Sequence, residues 1–364
     1  MIIRAKAPLR ISFGGGGTDV EPYCNEYGGV VLNTTIDKYA YCSIVPNNTD
    51  SIVVNSLDFD MTVKYNCNEN LVYDGKLDLV KAALKRMNIN KGCEVYLQCD
   101  APAGSGLGTS STVVVALLGA MAKWKGVVLD QYALASIAYE VERKDLKIDG
   151  GYQDQYAAAF GGFNFMEVDG SDVVVNPLKI NKGITNELQY NLLLCYTGNV
   201  HVSANIIKDQ VNNYVEKKEE VVNAMHEIKA LAYAMKKELL RNNLNNFGSL
   251  LHYGWEMKKK MSSRISNPQI DELYEAALKK GALGGKLLGA GGGGYLLVYC
   301  PYNKKHVVAE SLEKMGGQLT DWNFDLGGMQ SWVVDDSRWN YNEIAVATTE
   351  GKYKFGINTM EDIG

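Results

Sequence analysis

Residues 93–121, CEVYLQCDAPAGSGLGTSSTVVVALLGAM, decide the reading of this chain. A strand over residues 94–98 runs into Pro102-Ala103-Gly104-Ser105-Gly106-Leu107-Gly108, and a helix opens at once with Thr109-Ser110-Ser111. Glycines let a backbone approach an anion closely, and the unpaired amides and positive dipole end of the helix turn then stabilise phosphate. Hydroxyls in that first turn can reach phosphate oxygens or a bound Mg²⁺. The plainer alternative is a tight turn with ordinary Ser/Thr capping, and three glycines with three hydroxyls at one strand–helix junction argue against it.

Two other nucleotide motifs are excluded. No GxxxxGK[ST] occurs, so this is not a P-loop protein. Gly289, Gly291 and Gly294 satisfy GxGxxG, but a strand follows them where the dinucleotide fingerprint requires a helix.

Three further segments carry chemistry. PLRISFGGGGTD (8–19) puts Arg10 on a strand and ends a glycine run in Thr18-Asp19, where a carboxylate can accept from sugar hydroxyls. A surface hairpin with a solvated Asp fits that segment equally. AYEVERK (138–144) carries Glu140 and Glu142, and GGYQDQYAAAFGG (150–162) carries Asp154. Phosphoryl transfer needs a metal to neutralise phosphates and often a carboxylate to take the acceptor's proton, roles open to Glu142 and Asp154. Against this stands an exposed pair of carboxylates neutralised by Arg143 or Lys147. GGKLLGAGGGGYLLVYC (284–300) is too glycine-dense for an ordinary strand connection and must pass close to another backbone or a ligand.

The rest of the chain supplies an α+β scaffold. Strands are expected at 2–6, 30–36, 39–45 and 51–55, and helices at 77–87, from 109, from about 130 and at 153–160. The second half begins with a strand at 190–196, followed by a charged, mostly helical stretch over 203–262. Asn267-Pro268 then has the cap and first-turn chemistry of a helix that closes at Gly281. A strand at 295–300, a helix at 304–315 and a strand at 329–334 complete it. Interleaved strands and helices in both halves predict two α+β domains, 1–187 and 188–364.

Composition agrees with this. At 364 residues the chain can build two cores, and 46% hydrophobic with 22% charged residues is an ordinary soluble profile. A net charge of −5 without long like-charged blocks gives no support to a nucleic-acid or membrane-surface role. MIIRAKAPLR lacks the apolar stretch of a signal peptide, and no apolar run is long enough to span a bilayer. Seven cysteines without CxxC spacing suit reduced thiols, and four scattered histidines do not suggest a metal site. A cytoplasmic protein is expected.

Taken together, the segments resemble the GHMP kinases. PLRISFGGGGTD is similar to that family's first motif, PAGSGLGTSS to its phosphate loop and KLLGAGGGGY to its third, in the family's order and spanning residues 8–294. The resemblance implies a two-domain GHMP kinase fold, with an N-terminal nucleotide-binding α+β domain and a ferredoxin-like C-terminal domain. It implies ATP held by Pro102, Gly104, Ser105, Gly106, Leu107, Gly108, Thr109, Ser110 and Ser111. Mg²⁺ would sit on Ser110 and Glu142, with Glu140 the less favoured alternative. Asp154 would stand beside the acceptor hydroxyl, kept ionised by Arg10. Thr18, Asp19, Gly151, Gly291 and Gly292 would face the substrate, a small sugar phosphate, and a homodimer is compatible.

Gly14 to Gly17 replace the Gly-Glu-His of galactokinase, which argues against that activity. The motif combination is most similar to the branch that phosphorylates manno-heptose 7-phosphate at its anomeric oxygen, with the fucokinase type as neighbour. That branch commonly has an Arg after its Tyr-Thr-Gly loop, where this chain has Asn199-Val200-His201. Lys286 and Arg264 are the basic residues offered for a substrate phosphate, whereas at least two of Lys258, Lys259 and Lys260 belong to a solvated face. A nucleotide-binding regulator without turnover is the rival of another class.

Overall fold

The computed structural model describes residues 1–198, 203–216 and 218–335. Asn199-Val200-His201 and the tail after Trp339 lie outside the described residues. In chain order the elements are β1 (Ile2–Gly14), α1 (Tyr23–Tyr27), β2 (Gly29–Pro46), β3 (Ser51–Ser56), β4 (Met61–Asn66), α2 (Asp78–Arg86), β5 (Cys93–Cys99), α3 (Thr109–Lys125), α4 (Gln131–Glu140), α5 (Gln153–Phe160), β6 (Phe163–Asp169) and β7 (Asp172–Pro177). There follow α6 (Lys182–Asn191), β8 (Leu192–Tyr196), α7 (Ser203–Val215), α8 (Glu219–Leu240), α9 (Leu244–Lys259), α10 (Pro268–Lys279), β9 (Gly284–Leu287), β10 (Tyr295–Tyr299), α11 (Lys305–Lys314), β11 (Gln318–Leu319), β12 (Phe324–Asp325) and β13 (Gln330–Val334).

The large sheet has the order β13-β1-β2-β5-β3-β4, with β6 and β12 also on β2 and β7 on β6. Its pairs are antiparallel except β3 with β5. The strands expected at 30–36 and 39–45 are one strand, β2, whose first part pairs with β6 and whose last part pairs with β5. β4, β6 and β7 are not among the expected strands, although β4 (MTVKYN) alternates apolar and polar residues as a half-exposed strand does, while β6 is buried at most positions and so shows no clear alternation. Irregular register between Pro8 and Arg10, and again between Ser12 and Gly14, bends β1 where its side chains enter the site. α3 is apolar nearly all round and lies buried against β1 and β2, as a core helix must.

The second sheet has the order β11-β8-β10-β9, all antiparallel. With α7 to α10 between β8 and β9, and α11 between β10 and β11, it has the ferredoxin-like βαββαβ plan. The chain crosses the expected division at residue 187 a second time. β12 and β13 return to the large sheet and pair with β2 and β1. The C-terminal segment therefore does not stay with the second unit, because β1 offers an open edge to Gln330–Val334.

Caps follow the sequence. The Asp130 carboxylate accepts from the Ala133 amide at 2.7 Å, and the Asn267 side chain accepts from the Ile270 amide at 3.1 Å. All seven cysteines are free. Among the described residues no helix is long and apolar enough to cross a membrane.

A shared apolar cluster joins the two sheets, with Leu9, Ile11 and Phe13 of β1 meeting Phe247, Leu251 and Leu288 from the second. Phe13 and Phe247 meet edge-to-face at 5.2 Å, and Phe247 is fully buried. Phe247→Ala should therefore cost about 3–5 kcal/mol, read as a lower denaturant midpoint. A change below about 1 kcal/mol would show that this contact does not hold the units together.

Candidate active site

A cavity of about 570 Å³ opens where the β5–α3 loop, the end of β1, α5, α9 and the β9–β10 loop converge. The phosphate loop lines it with Gly104, Gly106, Gly108 and the hydroxyl residues Thr109, Ser110 and Ser111. Gly108 precedes α3 without a capping side chain, so the first-turn amides of a 17-residue helix have no side-chain partner. Such an end stabilises negative charge. Pro102, Ser105 and Leu107 do not line the cavity. Leu107 is in the core with its carbonyl accepting from the Arg10 amide at 3.1 Å, and the Ser105 carbonyl accepts from the Tyr295 amide at 3.0 Å. These residues hold the loop in place.

The β9–β10 loop explains its glycine density by contact. A Cβ on Gly289 would lie 2.5 Å from the Gly106 Cα, and one on Gly106 would lie 2.5 Å from the Leu288 carbonyl oxygen. Both glycines also have positive φ. Gly291 and Gly292 are not on the cavity, contrary to expectation. They pack on the Ile265 backbone, whose carbonyl accepts from the Gly292 amide at 2.9 Å. Gly289 and Ala290 take the cavity positions instead.

Glu142 lies on a π-helical turn, Val141–Asp145, that continues α4. The wider turn re-aims the side chain, a recurrent device at functional sites. Glu142 is 2% exposed yet borders the cavity beside Ser110 and Ser111. The Ser111 hydroxyl donates to its carboxylate at 2.6 Å, and Gln155 Nε2 donates to the same oxygen. Ser111 thus orients Glu142, while Ser110 is exposed to the cavity. Glu140 is excluded as the alternative. It faces away from the cavity, held by Arg86 at 2.5 Å and Lys144 at 2.7 Å, and the Lys144 hydrogen bond lowers its pKa.

Arg10 is buried, and its Nε donates to Asp154 Oδ1 at 2.7 Å. Its Nη1 donates to the Gly106 carbonyl at 2.5 Å. The expected Arg10–Asp154 pair therefore exists and is tied to the phosphate loop. Both residues line the cavity. Asp154 Oδ2 has no hydrogen-bond partner among the described residues and lies beside Gly108, 3.3 Å from a Cβ built there.

Asp19 is on the cavity wall but 1% exposed, accepting from the Gln153 amide at 3.0 Å and the Gly17 amide at 3.1 Å. Burial raises its pKa, and those amides partly oppose the shift. A Cβ on Gly151 would lie 2.1 Å from Asp19 Oδ2, so Gly151, also on the wall, makes room for this carboxylate. Thr18 is a correction. Its buried hydroxyl donates to the Gly15 and Val30 carbonyls and accepts from the Val30 amide, so it locks the loop and does not line the cavity.

The cations differ most from expectation. Lys286 is buried behind the cavity, donating to the Phe13 carbonyl at 3.3 Å, and Arg264 is exposed and off the wall. Burial, reinforced by Lys258 and Arg10, pulls the Lys286 pKa well below the usual lysine range. Lys259 pairs with Glu256 at 2.8 Å and Lys260 is exposed, as a solvated face requires. Lys258 is the exception. It is 6% exposed, lines the cavity and donates to the Gly289 carbonyl. The signal was present in the spacing, since Leu244, Phe247, Leu251, Trp255 and Lys258 follow one buried helical face. Arg143, also missed, lines the cavity and fixes the loop before α5 through the Ile148 and Gly151 carbonyls, each at 3.2 Å.

An uncapped helix end beneath a glycine loop, with a buried carboxylate and an Arg–Asp pair beside it, defines a phosphotransferase site. Comparison with known proteins agrees. Residues 70–162 match the GHMP kinases N terminal domain and residues 235–318 the GHMP kinases C terminal domain. The chain is 38% identical to D-glycero-alpha-D-manno-heptose 7-phosphate kinase of Campylobacter jejuni, over 91% of this chain and 99% of that protein. It is 29% identical to the L-fucokinase/L-fucose-1-P guanylyltransferase of Bacteroides fragilis, over 81% of this chain and 34% of that protein. The crystal structure of a D-glycero-D-manno-heptose 1-phosphate kinase from Bacteroides thetaiotaomicron superposes with a TM-score of 0.78 at 36% identity, covering 92% of this chain and 99% of that one. The chain belongs to the GHMP kinase family and is an ATP-dependent phosphotransferase.

Two substitutions test the site. Asp154→Asn keeps the shape but removes the charge, so ATP binding should survive while turnover falls by roughly 10²–10⁴-fold. Near-normal turnover would remove Asp154 from the reaction. Ser110→Ala and Glu142→Ala should both lower turnover and raise the Mg²⁺ concentration needed for half-maximal rate, with high Mg²⁺ partly rescuing Ser110→Ala. A metal requirement equal to wild type in both would withdraw these two residues as ligands.

Proposed function

We propose that this chain transfers the terminal phosphoryl group of ATP to the anomeric hydroxyl of D-glycero-D-manno-heptose 7-phosphate. The product would be the 1,7-bisphosphate, used for nucleotide-heptose and surface polysaccharide, and the reaction would be cytoplasmic. The observation that carries the transfer is the convergence of the Arg10–Asp154 pair and Glu142 on the glycine-lined end of α3 in one cavity. The acceptor follows the Campylobacter relative, to which the similarity runs over nearly the whole of both chains.

Mg²⁺ fits the donor set. Glu142 and Ser110 offer only hard oxygen atoms, and among the described residues no cluster of three His, Cys, Asp or Glu could form an all-protein cage. Mg²⁺ takes few protein ligands and fills its octahedron with phosphate oxygens and water. When bound it would neutralise charge on the nucleotide phosphates. The amides of the α3 end hold those phosphates. Asp154 accepts the acceptor's hydroxyl proton on Oδ2 while Arg10 fixes Oδ1. Asp19, presented by the glycine run of the first motif, borders the space left for the sugar.

The two heptose relatives share a phosphorylated heptose in their names but differ in the position named. The fucokinase relative supplies the rival, a free sugar. Heptose 7-phosphate, unphosphorylated heptose and L-fucose compared under one set of conditions separate these readings. Heptose 7-phosphate should have the highest kcat/KM, since remote binding energy also positions the reacting group. Equal or better efficiency with a free sugar would overturn the assignment of the acceptor and leave the kinase intact.

A further inference from the structure

We propose that Lys258 is a catalytic residue that grips the transferring phosphoryl group, a role that rests on the kinase reading above. An ammonium group carries three N–H donors. The Gly289 carbonyl takes one from Lys258, and among the described residues no second acceptor is recorded. The side chain is nevertheless buried and on the cavity wall. A buried cation with open donors needs an anion to complete it.

Its surroundings say which anion. The charged groups acting on it are Arg10 of β1, Asp19 of the loop after β1, Asp154 of α5 and Lys286 of β9. Arg10 is engaged by Asp154 and the Gly106 carbonyl, and Lys286 by the Phe13 carbonyl. Arg143 gives its two terminal nitrogens to the Ile148 and Gly151 carbonyls at the Glu142 end, and its buried Nε, unpartnered among the described residues, belongs to that end of the cavity and not to the Asp154 end. Lys258 is thus a cavity cation whose ammonium head is still open on the Asp154 side, the side of the carboxylate proposed to meet the acceptor hydroxyl. Gly289, whose carbonyl accepts from it, touches Gly106 of the phosphate loop, so the ammonium stands at the border between donor and acceptor. An acceptor's remote phosphate would lie away from that border.

In the step, the acceptor oxygen bonds to the γ-phosphorus as the bond to the β,γ-bridging oxygen breaks. ADP leaves with that electron pair, and the hydroxyl proton passes to Asp154. Lys258 exchanges no proton. Its charge stabilises the equatorial oxygens in flight. Burial, with Arg10 adding to it, pulls the Lys258 pKa down to about 8, while Asp19 and Asp154 act in the opposite sense. The group is charged below that pH and loses its charge as pH rises through it.

Steady-state kinetics of Lys258→Met and Lys258→Arg test the role, with melting temperatures as the control for folding. Methionine should lower kcat by about 10²–10³-fold while leaving the KM for ATP little changed. Wild-type kcat/KM should decline above pH about 8. The Arg variant should recover part of the rate and carry its plateau to higher pH, because guanidinium stays charged. Wild-type kcat in Lys258→Met would overturn the role, as would an unmoved alkaline limb in Lys258→Arg. So would a defect confined to acceptor KM that disappears with an unphosphorylated acceptor, which would place Lys258 on the remote phosphate. A wild-type enzyme without turnover fails the acceptor assignment instead, and the two failures are distinct.

Discussion

Everything in the site depends on one close backbone contact, the packing of the phosphate loop against the β9–β10 loop. Gly106 and Gly289 approach so closely that neither could carry a Cβ without meeting the other loop's backbone. The contact is continued by the Tyr295 amide on the Ser105 carbonyl and the Arg10 amide on the Leu107 carbonyl. It joins the nucleotide-binding loop of the large sheet to a loop of the second sheet, and behind it Phe13, Phe247 and Leu288 exclude water. The cavity exists because these backbones meet at one end and diverge at the other.

Two cations secure the contact from the inside. Arg10 donates to the Gly106 carbonyl and Lys258 to the Gly289 carbonyl, so each loop has a buried positive group on its backbone. The same two residues border the space where phosphate charge would arrive. Structural and proposed chemical roles therefore coincide. Arg10 has Asp154 as its counter-ion, whereas Lys258, kept dry with a carbonyl as its hydrogen-bond partner, costs free energy that an anionic ligand would offset.

The carboxylates divide by environment. Asp19 is enclosed by amides and fully buried, Glu142 is fixed by Ser111 and Gln155, and Asp154 keeps one oxygen open. Two are thus rigidly oriented, while the third keeps an atom free on the cavity wall, as the proposed transfer to a hydroxyl requires. The π-helical turn makes this division workable, because it turns Glu142 inward while Glu140, two residues earlier, stays with Arg86 and Lys144.

Local chemistry was legible in the sequence because its demands are local. A strand–glycine–helix junction, an Asn-Pro helix start and a glycine-dense loop each announce themselves within a dozen residues, and the motif order implied the family and the Arg10–Asp154 pair. Side-chain direction was not legible. Thr18, Gly291 and Gly292 sit in the right motifs but face protein, since hydroxyl and backbone groups in a tight loop satisfy one another first. At least two of Lys258, Lys259 and Lys260 were expected on a solvated face; the helical spacing puts Lys258 on the face of Leu251 and Trp255, but only the packing of α9 on β9 shows that this face carries it to the cavity. Strands β12 and β13 join the large sheet only because β1 and β2 leave hydrogen-bonding edges for them. The sequence by itself determined the loops, the family they belong to and the kind of ligand they hold. The tertiary structure alone decided which charges share the cavity, because burial and charge neighbourhood are set by segments far apart in sequence, such as Arg10 with Asp154 and both with Lys258.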